Sequence, residues 1–314
     1  MVAIVVTTTT AINTPAPQDR LSPFETLYDT SEGRRVPLPA ELEGIYGSLR
    51  FPAPHDRPYV IGNLVTSLDG VVSLGIPGRA GGKEISGSNE HDRALMGLLR
   101  AVADAVIVGA GTLREGKGDA LTVANVYPPL AGAYAALRAD LGKVGEPLSV
   151  IVTASGDLDP AMQVFKDGQA LVVTTHEGAV RLREQGLPAE VEVVEAESQD
   201  GRSIPAGVIL HAVAQARTCE IVLVEGGPHL LGDFFAESLI DEQFLTLSPQ
   251  VVGRDPSGAR LGLVEGQTFA PDSPRWGRLT VVKRVGSHLF LRYIFDDTTA
   301  SAAASDEYQE PTSR

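Results

Sequence analysis

Two glycine-terminated strands constrain this chain more than anything else in its sequence. Asp104 to Arg114 reads Asp-Ala-Val-Ile-Val-Gly-Ala-Gly-Thr-Leu-Arg. Ala105 to Val108 is a short apolar, β-branched run of the kind that fills a central strand buried on both faces, and Gly109 and Gly111 break it. A turn without Cβ atoms lets backbone N–H groups approach an anion closely, and Thr112 adds a hydroxyl where a helix could begin. A turn that needs glycine only for its own dihedrals would read the same way. The pattern then recurs: Ile221 to Val224 is a second apolar run, followed by Glu225-Gly226-Gly227-Pro228 and an amphipathic segment, His229 to Ser238. Two such turns in one chain favour the anion-binding reading over the merely conformational one.

Composition narrows the setting. The chain has 314 residues, 43% of them apolar, enough to bury a sizeable core. A net charge of −14 disfavours a nucleic-acid partner, which would need clustered cations. No apolar run approaches the roughly 20 residues of a membrane span, and the start, Met1 to Thr10, has no basic segment ahead of its short apolar run, so the expectation is a cytoplasmic protein without a membrane partner. The single Cys219 rules out an internal disulfide and any Cys-x-x-Cys metal site, and no metal is expected.

Residues 1–20 and 296–314 read as disordered tails. Residues 21–56 read as an arm that docks through its aromatics, with a short helix over Leu38 to Leu49 behind Pro39. A globular domain over 57–295 begins with the strand Tyr59 to Thr66, which runs into the turn Ser67-Leu68-Asp69-Gly70. The glycine-rich stretch Gly75 to Gly82 has the character of a mobile lid. Ser86 or Ser88 can cap a helix through Ala103, with Leu95, Leu98, Leu99 and Val102 inward and His91 on a solvated face. Strands at Leu148 to Thr153, Ala170 to Thr174 and Val191 to Val194 alternate with helices at Ala131 to Leu141, Gly178 to Gln185 and Val208 to Ala216. Such alternation implies an α/β fold with a mostly parallel central sheet flanked by helices. Glu242 to Leu247 and a hairpin, Leu279 to Val285 with His288 to Phe295 around Gly286-Ser287, close that sheet with antiparallel strands.

Taken in order, Ser67-Leu68-Asp69-Gly70, Ile85-Ser86-Gly87, Leu99-Arg100-Ala101, Asp104-Ala105-Val106 with Val108-Gly109-Ala110-Gly111-Thr112, Leu121-Thr122, Val224-Glu225-Gly226-Gly227-Pro228, Leu247-Ser248-Pro249 and Gly253 form a specific set. Together they resemble the reductase domain of the bifunctional riboflavin-biosynthesis deaminase/reductase family, in the dihydrofolate-reductase-like superfamily, over about Arg57 to Phe295. The resemblance implies a homodimeric, NADPH-dependent reductase that converts the ribosyl chain of an aminopyrimidine phosphate to a ribityl chain by hydride transfer to C1′. Cofactor-binding positions carry over to Thr66, Thr112, Ser155, Gly226, Gly227, Pro228, His229, Leu230 and Leu231, beside Gly109 and Gly111 of the first bare turn. Substrate-binding positions carry over to Asn63, Gly82, Arg100, Leu121 and Glu225, with Asp69 and Glu225 as the candidate catalytic carboxylates and Asp69 at the cleft floor. Three departures stand out. Asn63 replaces the family's usual lysine, Glu115 to Asp119 replaces an Asp-Asp/Asn-Pro segment, and no arginine follows Leu121-Thr122. Lysine and arginine are natural phosphate partners, so a dihydrofolate, pterin or other small-carbonyl substrate stays open, as does an NADPH-binding module without turnover. One cysteine cannot supply the zinc site of a deaminase, and the chain reads as a stand-alone reductase.

Overall fold

The two glycine turns leave the carboxyl ends of neighbouring parallel strands, and the rest of the fold is arranged around that adjacency. The computed structural model describes residues 21–53, 56–76, 78, 81–116, 118–166, 169–198, 201, 203–254 and 260–296. The tails expected at 1–20 and, past Asp296, at 296–314 lie outside the described residues, as do positions 77, 79 and 80 of the expected lid. The arm supplies β1 (Glu25–Asp29), the short antiparallel pair β2 (Arg34–Arg35) and β3 (Arg50–Phe51), and α1 (Ala40–Tyr46) between them. Then come β4 (Tyr59–Thr66), β5 (Val71–Ser73), α2 (Gly82–Ser86), α3 (Glu90–Val102), β6 (Ala105–Gly109), α4 (Ala110–Glu115), α5 (Val123–Val126) and α6 (Ala131–Asp140). β7 (Leu148–Thr153), β8 (Ala170–Thr174), α7 (His176–Gln185), β9 (Glu192–Glu195), α8 (Ala206–Ala216) and β10 (Ile221–Val224) follow. The chain closes with α9 (Pro228–Ala236), β11 (Glu242–Leu247), β12 (Leu261–Gly262), β13 (Arg278–Val285) and β14 (His288–Ile294).

Ten strands form one sheet in the order β1-β13-β14-β11-β4-β10-β6-β7-β8-β9. From β11 to β9 every pairing is parallel, whereas β14, β13 and β1 join antiparallel. The expected parallel centre and closing hairpin are both present. Alternation along the strands sends Ile61, Val106, Val108 and Leu223 to the face covered by α1, α3 and α6, and Val60, Ile107, Val222 and Val224 to the face covered by α8 and α9. β10 stops opposite Gly62 of β4, which runs on to Thr66 beside β11. That stagger opens space at the sheet's carboxyl edge, where ligands of α/β sheets sit.

Helix α3 is capped by Asn89, whose side chain accepts from Asp92 N at 3.0 Å, and not by Ser86 or Ser88. Ser86 belongs to α2, which ends at Gly87 in the left-handed region. At its other end the buried Arg138 guanidinium donates to the carbonyls of Ala101 and Ala103, at 3.2 and 2.8 Å, satisfying groups that a helix end leaves orphaned. Gly97 is required where α3 crosses α6, because a Cβ there would lie 2.6 Å from the Tyr134 ring. His91 is buried and not solvated: its ring bonds Ser22 O at 2.8 Å and packs edge-on against Phe24. The arm lies over that side of α3 and adds an edge strand to the sheet, which aromatic spacing alone did not reveal.

Beneath the arm, Arg292 donates from Nε to Glu242 Oε1 at 2.7 Å and from Nη2 to Arg50 O at 2.9 Å, between the rings of Phe51 and Phe244. Both side chains are enclosed, at 3% and 0% exposure. Leaving such an ion half-paired is strongly destabilising, whereas replacing both partners by apolar residues is not. Glu242→Gln is therefore expected to lower unfolding free energy by about 3–5 kcal/mol in urea titration, and Glu242→Leu with Arg292→Met to restore most of it. A loss under about 1 kcal/mol for the single change would contradict this account.

Candidate active site

One cavity of about 610 Å³ opens at the carboxyl ends of β4, β10 and β6, a size suited to small ligands. One wall is backbone. Gly109 N donates to Gly226 O at 2.8 Å, which ties the first glycine turn to the second. A Cβ on Gly227 would stand 3.0 Å from Thr112 Oγ1, whereas one on Gly111 would meet nothing within 4 Å, so the wall between the starts of α4 and α9 is bare peptide with one hydroxyl in it. The opposite wall is the α3 stripe of Asp92, Met96 and Arg100, four residues apart and hence on one helical face. Asn63 and Val65 of β4, Ser73 of β5, Leu121, and Asn125 of α5 close the sides.

At the cavity floor Arg100 and Glu225 meet as a two-point ion pair. Arg100 Nε donates to Glu225 Oε1 at 2.8 Å and Nη2 to Oε2 at 2.6 Å, with side-chain exposures of 7% and 5%. Arg100 Nη1 also donates to Thr122 O at 3.1 Å. Of the guanidinium's five N–H donors these three bonds leave two, so Arg100 orients polar groups and is not a free cation.

Asp92 is the second notable carboxyl. Burial pushes it up to about 6 from 3.8, an effect that the Thr246 hydroxyl and the Arg93 charge only partly offset. Asp69 is the reverse case. Its carboxylate accepts from Ser67 Oγ at 2.7 Å and from the backbone of Val252 and Gly253 at 3.0 and 2.7 Å, and these bonds, Ser67's first, hold it down at about 2.

The cavity thus brings together Asn63, Gly82, Arg100, Leu121 and Glu225 with Gly109, Gly111, Thr112, Gly227, Pro228, His229 and Leu230. It leaves out five expected positions. Asp69 clips the β4–β5 turn to the 252–253 loop and is exposed, not at the cleft floor. Thr66 bonds the carbonyls of Ser67 and Val71, Gly226 is engaged with Gly109, Leu231 is fully buried in the core, and Ser155 is exposed beyond β7. Residues the sequence reading passed over are Asp92, Met96, Glu115, Asp119 and Asn125. For Met96 and Asp92 the available signal was their spacing of four and eight residues from Arg100.

Among the described residues there is no cluster that could hold a metal ion and no helix long and apolar enough to cross a membrane. A mostly parallel sheet flanked by helices, with a cavity at its carboxyl edge and an antiparallel closing hairpin, defines an α/β class of fold. The chain belongs to the RibD C-terminal domain family, whose model matches residues 58–291, and is accordingly an oxidoreductase. It is 27% identical over 235 residues to the 2,5-diamino-6-ribosylamino-4(3H)-pyrimidinone 5′-phosphate reductase of Archaeoglobus fulgidus, covering 73% of this chain and 94% of that one. To the enzyme of the same name from Methanothermobacter thermautotrophicus it is 28% identical over 197 residues, 63% of this chain and 80% of that one. In structure it is similar to the diaminohydroxyphosphoribosylaminopyrimidine deaminase/5-amino-6-(5-phosphoribosylamino)uracil reductase of Thermotoga maritima, with a TM-score of 0.55 and 22% identity, covering 76% of this chain but only 57% of that one. A pyrimidine reductase-like protein of Corynebacterium diphtheriae matches with a TM-score of 0.58 and 21% identity, covering 76% of this chain and 92% of that one.

The raised Asp92 carboxyl has a consequence for stability. The folded chain holds its proton up to about pH 6, whereas the unfolded chain releases it near 3.8, so stability falls as pH rises through that window and then levels off. Asp92→Asn is expected to raise unfolding free energy above pH 6 by on the order of 1–3 kcal/mol, less the few tenths a first-turn carboxylate gains from the helix dipole, with no gain below about pH 4. Denaturant titrations of both proteins across that range measure it, and a variant no more stable than wild type at pH 7 would count against the assignment.

Proposed function

We propose that this chain is an NADPH-dependent reductase of a ribosylaminopyrimidine phosphate, acting as 5-amino-6-(5-phosphoribosylamino)uracil reductase and its 2,5-diamino counterparts do, in a cytoplasmic homodimer. The observation that carries the proposal is the joined pair of glycine turns opening on the same cavity that Arg100 and Glu225 floor. Bare peptide and the Thr112 hydroxyl suit a dinucleotide's phosphates, which a Cβ would hold off. Gly109, Gly111, Thr112 and Gly227 to Leu230 would hold the cofactor there. When bound, NADPH supplies a hydride. The protein's own task is then to position the acceptor and exclude water. The floor pair offers carboxylate oxygens and the two remaining guanidinium donors to the hydroxyls of the substrate's sugar chain, and the Asn63 amide adds a donor and an acceptor. Ring opening of the ribosylamine leaves C1′ doubly bonded to nitrogen; hydride adds at C1′ and the nitrogen takes a proton. Met96, Val108, Leu121 and Leu230 line the same space and keep it apolar around that carbon. Asp69 has no part in this reading, since both its oxygens are engaged in a loop contact.

A second reading keeps fold and cofactor but takes a substrate without phosphate, a dihydropterin or small carbonyl compound. It is favoured by the wall's charge: Asp92, Glu115, Asp119 and Glu225 against Arg100 alone among the described lining residues. Oxidation of NADPH with the phosphorylated pyrimidine, its dephosphorylated form and dihydrofolate separates the two readings, and cofactor binding without oxidation of any would mark a module without turnover.

Gly227→Val places branched carbon against Thr112 Oγ1 and over the peptide wall. It is expected to weaken NADPH binding by about a hundredfold or more with an unchanged circular-dichroism spectrum, measured by fluorescence titration. Unchanged affinity would remove the glycine turns from the cofactor site. Glu225→Gln keeps the volume of the floor but leaves the buried Arg100 without its counter-charge, so it should lower unfolding free energy by about 3–5 kcal/mol and, in the folded protein, lower kcat/KM for the pyrimidine by a factor on the order of ten to a hundred, while the NADPH Kd stays within about twofold.

A further inference from the structure

Three carboxylates are buried among the described residues: Asp92, Glu225 and Glu242. Glu225 is paired with Arg100 and Glu242 with Arg292. Asp92 is only 6% exposed, and no guanidinium or ammonium of the described residues lies within ion-pair distance of it. Its neighbour Thr246 Oγ1, on β11, is likewise buried and makes no hydrogen bond of full geometry. An acid with no cationic partner, beside a single hydroxyl of imperfect geometry, is expensive to enclose, unless something that enters the cavity completes it. Asp92 lines that cavity.

Placement adds to the chemistry. Asp92, Met96 and Arg100 share one face of α3, and eight residues separate the two ends of this stripe by about 12 Å along the helix. Arg100 sits with Glu225 beside the glycine turns, whereas Asp92 stands at the far end of the cavity, beside the β4–β11 extension. A ligand with its reacting carbon near the turns therefore presents its other end to Asp92. A carboxylate with two coplanar oxygens is matched by two coplanar N–H donors on adjacent atoms.

We propose that Asp92 is a specificity-determining residue whose carboxylate accepts from the ring N–H and the 2-amino group of a 2-aminopyrimidinone, so that this site selects the 2-amino ring over its 2-oxo, uracil-type counterpart. The proposal rests on the reductase reading above and deepens it. A uracil ring presents one N–H and one carbonyl at that edge, and the carbonyl oxygen would face a carboxylate oxygen with no proton between them. A site built to accept from a substrate N–H rejects an analogue that lacks it, because its buried acceptor is left unpaired. A carboxylate in the first turn of a helix also has a local role with the helix dipole, but that role is blind to the ring's 2-substituent.

The test uses the full chain with NADPH and two substrates, 2,5-diamino-6-ribosylamino-4(3H)-pyrimidinone 5′-phosphate and 5-amino-6-ribosylaminouracil 5′-phosphate. Wild type is expected to favour the first in kcat/KM by tenfold or more, on the order of the loss of one hydrogen bond to a charged group. Asp92→Asn, whose amide offers one acceptor and one donor, should abolish or reverse that preference with the NADPH KM held within about twofold. Asp92→Ala, which removes both the acceptor and the repulsion, should weaken the 2-amino substrate and bring the two compounds to within a few-fold of each other. Calorimetric binding of the two compounds to the same proteins reads the preference without turnover. A wild type that reduces both equally, or an Asp92→Asn protein that keeps the wild-type ratio, overturns the proposal while leaving the reductase reading intact; a wild type that neither binds nor reduces either compound overturns both.

Discussion

The ion pair between Arg100 and Glu225 is the constraint on which the site depends. Each charge sits in a nearly dry position, and neither could be held there without the other. Because Arg100 is on α3 and Glu225 directly follows β10, the pair fixes the rotation of the helix over the sheet at the strand end where the second glycine turn begins. Arg138 reinforces this by holding the last carbonyls of α3, and Gly97 lets α6 approach closely enough to do so. Once α3 is fixed, Met96 and Asp92 can face only the cavity, since they repeat at the spacing of Arg100.

The cavity then has two unlike sides. Opposite α3 the wall is peptide, with Gly109 and Gly226 hydrogen-bonded across the two turns, and it presents backbone donors rather than charge. On the side-chain wall carboxylates predominate among the described residues, which suits amino and hydroxyl groups and not phosphates. Under the proposed function, such a separation would keep anion recognition on the backbone and leave the side chains to discriminate among substrates. It also explains why an acid such as Asp92 can persist at a cost to stability: binding surfaces commonly carry groups that folding alone would not retain.

Much of this was legible in the sequence because it is written in local patterns. The strands Ala105–Gly109 and Ile221–Val224 are apolar runs cut off by glycine, and the parallel sense in which β10 pairs with both β6 and β4 follows from the α/β alternation. Arg100 and Glu225 were both marked for the substrate side, yet their mutual bond was invisible, since it joins residues 125 apart and depends on how α3 turns over β10. Asp69 was misplaced for the opposite reason. Its turn is a strong local signal, but the 252–253 backbone that engages its oxygens lies 183 residues away. His91 was read as solvated because the arm that buries it is irregular in sequence, and β1 shows no alternation that would announce an edge strand, with all five of its residues exposed.

The central claim is that one cavity holds a nicotinamide cofactor against the sugar carbon of an aminopyrimidine, and isotope transfer tests it most directly. The full chain would be incubated with NADPH deuterated on the transferred face of nicotinamide C4 and with the diaminopyrimidinone phosphate, and the product examined by mass spectrometry and NMR. The account predicts one deuterium, on C1′ of the ribityl chain. Oxidation of the cofactor with no label in the product, or label at any other carbon, would contradict it.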